Sequence, residues 1–316
     1  VKVLLTGGCG QVGSHVVERL LANGDEVLAI DNFDTGRREH LPESAKGLTM
    51  VTGSIADKAL MDGLFENFKP DVVVHTAASY KDPDDWYSDA QTNVVGAVNL
   101  VQGAKAHKVG RFIYFQTALC YGVKPSQSPV TLDHPKNPNN SSYAISKTAA
   151  EDYIELSGLD YVTFRLANVV GPRNVSGPLP IFFSRLKAGK KCFVTKARRD
   201  FVYVGDLADT VIKAVNGQGQ GAYHFSSGSD IAIQELYDAV VKAMHINDYP
   251  MPDVHELGPD DAASILLDPS RTYQDFGKIE FTPLERFVSL AIDYYAEHGT
   301  LGEYTHLKLE KAKEQA

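Results

Sequence analysis

The chain has 316 residues, 43% of them apolar, and a formal net charge of −9. That is enough apolar content for one large α/β domain or two joined ones, and the wrong sign for nonspecific binding of nucleic acid or an acidic membrane surface. No apolar run approaches the length of a membrane span, the chain opens on a strand rather than a signal segment, and Cys9, Cys120 and Cys192 lack metal-ligand spacing, so a cytoplasmic protein with reduced thiols and no metal is expected.

Val1 to Leu5 is a short β-branched run that passes directly into Gly7, Gly8, Gly10 and Gly13. Gly8, Gly10 and Gly13 fit the spacing G-x-G-x-x-G, in which glycines allow a tight turn, a close backbone approach to a pyrophosphate and close helix–strand packing. Val12, Val16, Val17, Leu20 and Leu21 then share one helical face, so a helix begins at the turn with its open amides toward the phosphates. Asn23-Gly24 ends that helix, Glu26 to Ile30 reads as a second strand, and Asp31 at its tip stands where the fingerprint needs an acid for the ribose hydroxyls. The acid repels a 2′-phosphate and favours NAD, while Arg37 and Arg38 leave NADP open. Gly7, Gly10, Gln11, Val12, Gly13, Asp31, Asn32, Gly36 and Arg37 are therefore expected around the cofactor, with the loop NFDTGRREHLP along its adenosine half.

Leu48 to Thr52 reads as a third strand and Ala56 to Phe68 as a helix, with Ser54 and Ile55 between them at the adenine. Asp71 to Thr76 is a run of central-strand character, and Thr76, Ala77 and Ala78 at its tip let a cofactor lie against the strand end. A helical pattern runs from Trp86 to His107, Arg111 to Gln116 is a strand, Tyr143 to Ser157 a helix and Tyr161 to Leu166 a strand. This alternation predicts a doubly wound parallel sheet, the Rossmann architecture, over residues 1–170 with some later segments contributing. Beyond Gly171-Pro172 prolines and glycines thicken, and 171–316 is expected to be a smaller mixed α/β substrate-binding lid over the carboxyl ends of the strands. Lys308 to Gln315 reads as a solvated helical or frayed tail.

Chemistry is expected at two neighbouring places. Thr117 lies at the carboxyl end of the strand RFIYFQ, and Tyr143 and Lys147 share a helix face at i and i+4. An ammonium beside a phenol, in a pocket that also holds a nicotinamide cation, favours the phenolate and makes it a usable general base.

TGGCGQVGSH, DNFDTGRREHL, Tyr143-x-x-x-Lys147, RLANVVGPRN and RRDFVYVGDLAD, in that order, resemble the extended short-chain dehydrogenase/reductase family. Within it they are most similar to nucleotide-sugar 4-epimerases of the UDP-glucose 4-epimerase type and their relatives in bacterial surface-polysaccharide synthesis. The resemblance implies a bound NAD that is reduced and reoxidised in each turnover. It implies that Tyr143 takes the proton of the sugar's C4 hydroxyl, Thr117 hydrogen-bonds that oxygen and Lys147 binds the nicotinamide ribose. It places Asn93 near the cofactor and active site, Asn168 on the nucleotide sugar, and Arg199 on its pyrophosphate within the basic cluster Lys196, Arg198 and Arg199. It also implies a homodimer, with helices around Val94 to Ala106 and Tyr143 to Ser157 forming a four-helix bundle.

The departures bear on the reaction and the substrate. Ala118 and Leu119 stand where sugar dehydratases carry an acid, which speaks against dehydration, and Cys120 is one position off the pattern of C3 and C5 epimerases. The glycine turn usual before RRDF is absent, Leu257 replaces an arginine before Gly258-Pro259-Asp260, and Ser54 replaces a common aspartate. The expected activity is NAD-dependent inversion at C4 of a UDP-hexose, N-acetylhexosamine or uronate, with a 4-ketosugar reductase and a non-catalytic dinucleotide-binding regulator left open.

Overall fold

The computed structural model describes residues 1–80, 82–139, 141–258 and 261–300; the expected tail from Lys308 lies outside them. The first half alternates as expected: β1 (Lys2–Thr6), α1 (Gln11–Ala22), β2 (Glu26–Asp31), β3 (Leu48–Thr52), α2 (Lys58–Phe68), β4 (Val72–His75), α3 (Trp86–Asp89), α4 (Ala97–Ala106), β5 (Arg111–Thr117), α5 (Ser142–Ser157) and β6 (Tyr161–Leu166). The second half contains β7 (Asn168–Val170), α6 (Pro178–Lys187), β8 (Phe193–Thr195), β9 (Arg198–Arg199), β10 (Phe201–Tyr203), α7 (Val204–Val215), β11 (Gly221–Phe225), β12 (Ile231–Ala232), α8 (Ile233–Ala243), β13 (Asp253–His255), α9 (Ser270–Phe276) and α10 (Leu284–His298).

Seven strands form one parallel sheet in the order β11-β6-β5-β4-β1-β2-β3. The winding reverses between β1 and β4, which opens a crevice at their carboxyl ends, where open α/β sheets bind ligands. Alternation along β1 feeds two cores: Val3 and Leu5 pack with Val16, Val17 and Leu20 of α1, and Leu4 packs with Phe65 of α2 and Leu100 of α4. Burial on both faces is why these strands read as unbroken apolar runs. Each such side chain contributes about 1.5–3 kcal/mol by leaving water.

The later half divides its loyalties. Leu207, Ala208 and Val211 of α7 and Tyr223 and Phe225 of β11 join the core of the first sheet face. Phe182 of α6, Leu236 and Val240 of α8, and Val288 and Ala291 of α10 build a separate core beside it. Most boundaries fall within a residue of those expected, and two larger departures have local reasons. Helix α2 starts at Lys58 because the Asp57 carboxylate caps it, accepting the Leu60 amide at 3.0 Å. The long pattern from Trp86 is broken by a π-helical stretch, Ala90–Gly96, between α3 and α4.

Candidate active site

The turn between β1 and α1 is built without slack. Gly7 has φ +69°, and a Cβ on Gly13 would stand 2.1 Å from the Gly7 carbonyl oxygen, so only glycines permit this approach. Helix α1 has neither a side-chain cap nor an acid in its first turn. Its first amides lack intrahelical acceptors and face a cleft that Gly7, Gly10, Gln11, Val12 and Gly13 line. The Gln11 Nε2 is buried there with no protein partner among the described residues. An anion is what such a helix end accepts.

The cleft has a volume of about 510 Å³ and continues along the strand tips past Asp31, Asn32, Gly36, Ser54 and Ile55, then Thr76, Ala77 and Ala78. The Asp31 carboxylate accepts the amides of Cys9 and Phe33, each at 2.8 Å, and its remaining lone pairs are free for hydroxyl donors. Burial raises its pKa, with those backbone bonds opposing. Thr76 is fixed by donating its hydroxyl to the Thr6 carbonyl at 2.6 Å. A helix end with open amides, a buried acid at the tip of β2 and a tight glycine turn fit NAD.

Thr117, Tyr143 and Lys147 line the other end of the same cleft. The Thr117 Oγ1 accepts the Leu119 amide at 3.2 Å, which leaves its hydroxyl proton to give away. Ser141 caps α5 by accepting the Ala144 amide at 3.1 Å and so fixes the turn that carries Tyr143. The Tyr143 ring is half-buried, edge-on to Tyr80 at 6.4 Å between centroids. Burial pushes its phenol above the usual range, helped by Tyr80 and Asp89. Lys147 is 3% exposed, with Nζ 4.2 Å from the Tyr114 ring centroid. Burial lowers its pKa to about 7 against the opposing charge of Glu151. Beneath it His75, pushed well below its ordinary range first by burial and then by Lys147, is neutral and pairs with Thr6 Oγ1 at 2.8 Å.

Three expected site residues do not line the cleft. Asn93, carried inward on the π-helical stretch, accepts the Ser79 amide at 2.8 Å and donates to the Ser79 carbonyl and Ser146 hydroxyl, each at 3.0 Å. It pins the loop after β4 to α5. Arg37 donates to the His298 carbonyl at 3.0 Å and so meets the end of α10. Arg199 pairs with Asp261 and donates to the Ala262 carbonyl at 2.7 Å. Its neighbours Lys196 and Arg198 pair with Glu256 and Asp230, so the expected basic cluster is matched by acids distant in sequence. Asn168 does line the cleft, donating its side-chain amide to the Asp200 carbonyl at 3.2 Å.

The cleft also includes residues that the sequence did not single out: Ser79, Tyr80, Asp82 and Asp85 after β4, and Asn174, Ser176, Gly177, Pro178 and Phe201 from the second half. Most sit in loops without periodicity, Pro178 begins α6 and Phe201 begins β10, and only the three-dimensional path brings them to the strand tips. Gln116 was legible in principle as a polar residue ending an apolar strand.

A family model described as the NAD dependent epimerase/dehydratase family matches residues 3–225. The chain is 70% identical to the Bordetella bronchiseptica enzyme WbmH, crystallised with NAD+, over 95% of this chain and 99% of that one, with a TM-score of 0.93. It is 42% identical to WbmG of the same organism, crystallised with NAD and UDP, over 96% and 98%, with a TM-score of 0.87. A UDP-glucose 4-epimerase of Mycolicibacterium smegmatis is 32% identical over 313 residues, 93% of this chain and 98% of the relative. With a glycine turn, a buried acid at the tip of β2 and a tyrosine and lysine of one helix in one cleft, and with matches that run nearly end to end, the chain belongs to the NAD-dependent epimerase/dehydratase family.

Proposed function

We propose that the protein is an NAD-dependent nucleotide-sugar 4-epimerase whose nucleotide is UDP. The observation that carries this reading is the meeting of Thr117, Tyr143 and Lys147 in the cleft that begins on the phosphate turn. The M. smegmatis relative is a UDP-glucose 4-epimerase and WbmG binds UDP together with NAD, which supports the choice of nucleotide. NAD, when bound, supplies a hydride acceptor that returns the same hydride. Gly7, Gly10, Gln11, Val12 and Gly13 hold its pyrophosphate, Asp31, Asn32 and Gly36 its adenosine ribose, Ser54 and Ile55 its adenine, and Thr76, Ala77, Ala78 and Lys147 its nicotinamide half.

Tyr143 would remove the proton of the C4 hydroxyl and later return it to the same oxygen, while bound NAD would supply the redox chemistry at C4. Thr117 would donate its hydroxyl proton to the same oxygen throughout, and Lys147 would bind the nicotinamide ribose and favour the phenolate only to the extent that it is charged. Asn168, Asn174, Ser176 and Phe201 lie on the second-half wall and bind the nucleotide sugar. Ala118 and Leu119 offer no acid for dehydration. The test is incubation with UDP-glucose, UDP-N-acetylglucosamine and their uronates, following the C4 proton by NMR. The expected product is the 4-epimer without lasting change at the reduced-nicotinamide absorbance band. No turnover overturns the reading, and a stoichiometric absorbance change moves it to a net ketosugar reductase.

The assembly is a homodimer. Of the two helices expected in the bundle, α5 exposes Ile145, Tyr153 and Leu156, Leu156 by 80%, while the first contributes only Val95, at 40%, just before α4; Trp86 and Tyr87 of α3 are exposed beside them. Among the described residues no helix is long and apolar enough to cross a membrane. We place the protein in the cytoplasm, a reading that its three buried cysteines, none in a disulfide, support.

A further inference from the structure

Gln116 takes no part in the proposed chemistry, yet its carboxamide touches both halves of the catalytic group. The side chain is 1% exposed. Its Oε1 accepts the Thr117 amide at 2.8 Å, and its Nε2 donates to the Lys147 carbonyl at 3.1 Å and to Glu151 Oε2 at 3.0 Å. One donor and two acceptors fix the orientation of the amide, because the flipped form would oppose like groups at all three contacts.

Glu151 extends the contact into the protein. It is fully buried, and its other oxygen accepts Arg165 Nε at 3.0 Å. Arg165 donates to the Tyr121 hydroxyl at 2.6 Å, and that hydroxyl meets His224 Nε2 at 2.7 Å. His224, whose pKa burial lowers to about 4, is neutral; it donates Nδ1–H to the Asp268 carbonyl at 2.9 Å, and its Nε2 accepts a hydrogen bond from the Tyr121 hydroxyl. The chain of bonds thus ties β5, α5, β6 and β11 together, with Gln116 at the end that meets the cleft. Packing alone asks for an apolar side chain in this strand. A residue with three directed bonds at the junction of two catalytic elements does more than fill space.

We propose that Gln116 is a positioning residue for the reaction: its carboxamide locks the strand end bearing Thr117 to the helix turn bearing Lys147, and so sets where the hydroxyl stands relative to the phenol and ammonium. This rests on the epimerase reading given above. The charged and titratable groups that face Lys147 are Tyr114 of β5, His75 of β4 and Glu151 of α5, with Arg165 of β6 and Lys136 beyond Glu151.

The test uses NAD-loaded protein with Gln116→Leu and Gln116→Glu, beside the wild type. Gln116→Leu keeps the volume and loses all three bonds. A displacement of the catalytic groups by a fraction of an ångström to one ångström is expected to lower kcat about 10- to 100-fold, with KM for the nucleotide sugar and NAD content unchanged. Gln116→Glu keeps the acceptor for Thr117 but sets a second carboxylate against Glu151; once protonated, it regains a donor. Its kcat relative to wild type is therefore expected to rise as pH falls from 8 to 6, at constant NAD content and constant circular dichroism. A merely structural role predicts no such recovery. A kcat for Gln116→Leu within twofold of wild type, or a pH-independent ratio for Gln116→Glu, overturns the proposal. Hydrogen exchange at the Thr117 amide reads the same lock without turnover and is expected to be at least tenfold faster in Gln116→Leu. If the wild type epimerises nothing while this exchange accelerates, the epimerase reading fails and the lock stands; unchanged exchange removes the lock itself.

Discussion

Gly13→Ala tests whether the turn after β1 is a cofactor cradle. The added Cβ would stand 2.1 Å from the Gly7 oxygen, 2.8 Å from the Gly7 carbonyl carbon and 2.9 Å from Thr76 Oγ1. Relaxed contacts between such atoms lie near ~3.5 Å, so something must move by more than an ångström. Gly7 cannot retreat. Its own missing Cβ would sit 2.7 Å from the Ala77 nitrogen, and its amide is bonded to the Ile30 carbonyl at 2.8 Å. The first turn of α1 must therefore shift, carrying the amides of Gln11 and Val12 away from the pyrophosphate. Overpacking of this kind costs about 1–3 kcal/mol, which corresponds to about 5- to 150-fold in affinity for NAD. Gly63→Ala is the control: it lies in α2 with nothing within 4 Å of the new methyl. It is expected to stabilise the helix by about 0.5–1 kcal/mol without touching the cofactor. The assay is NAD released from purified protein and the Kd for NAD re-added to stripped protein. A Kd for Gly13→Ala within twofold of wild type refutes the reasoning.

Tyr143→Phe removes the proposed base and is expected to lower kcat by about 10²–10⁴-fold while NAD content holds; turnover within tenfold of wild type by the NMR assay would remove Tyr143 from that role. In ligand-free protein, Lys147 carrying a ¹³C label is expected to titrate near pH 7, against ~10.4 for an unperturbed lysine, and a midpoint near 10 would contradict its burial. Between those values the unfolded chain binds more protons than the folded one, so this group makes the fold more stable as pH rises across that window, checked by urea unfolding with Lys147→Met for comparison. Leu156→Glu, placed on the exposed face of α5, is expected to yield a monomer with an unchanged fold, read by light scattering; a wild-type monomer would refute the homodimer.

The parts of this fold that were legible are those where a local rule and the tertiary environment agree. β1, α1 and β2 follow from an apolar run, a glycine turn and a one-faced helix, and Asp31 falls at the tip of β2 because strand length and fingerprint spacing coincide. The i, i+4 relation of Tyr143 and Lys147 likewise survives because α5 is regular there. Arg199 shows the limit. A run of basic residues signals an anion site only if nothing else neutralises it, and Asp261, Glu256 and Asp230 arrive from far along the chain. Asn93 was placed in the right neighbourhood, but its orientation depends on a π-helical stretch that apolar periodicity does not announce. Arg165 lay unremarked in an apolar strand, because a charge there has meaning only once Glu151 is known to face it at 3.0 Å.

The electrostatics of the catalytic pair carry one argument further. Sequence reasoning holds that the Lys147 ammonium makes Tyr143 acidic, yet in the folded protein burial moves the phenol up and the lysine down to about 7. Both shifts share a cause, since each penalises the charged form in a site with little water. The pair by itself therefore stands as a neutral phenol beside a lysine close to its own midpoint, held partly charged by the Tyr114 ring and by Glu151. A positive charge entering the cleft changes that balance, because it stabilises the phenolate while pushing the lysine toward neutrality. In the proposed mechanism the strength of the base would then be set by the occupant of the cleft rather than by the helix alone, and Tyr143 would become a proton acceptor only when a cationic group lies beside it.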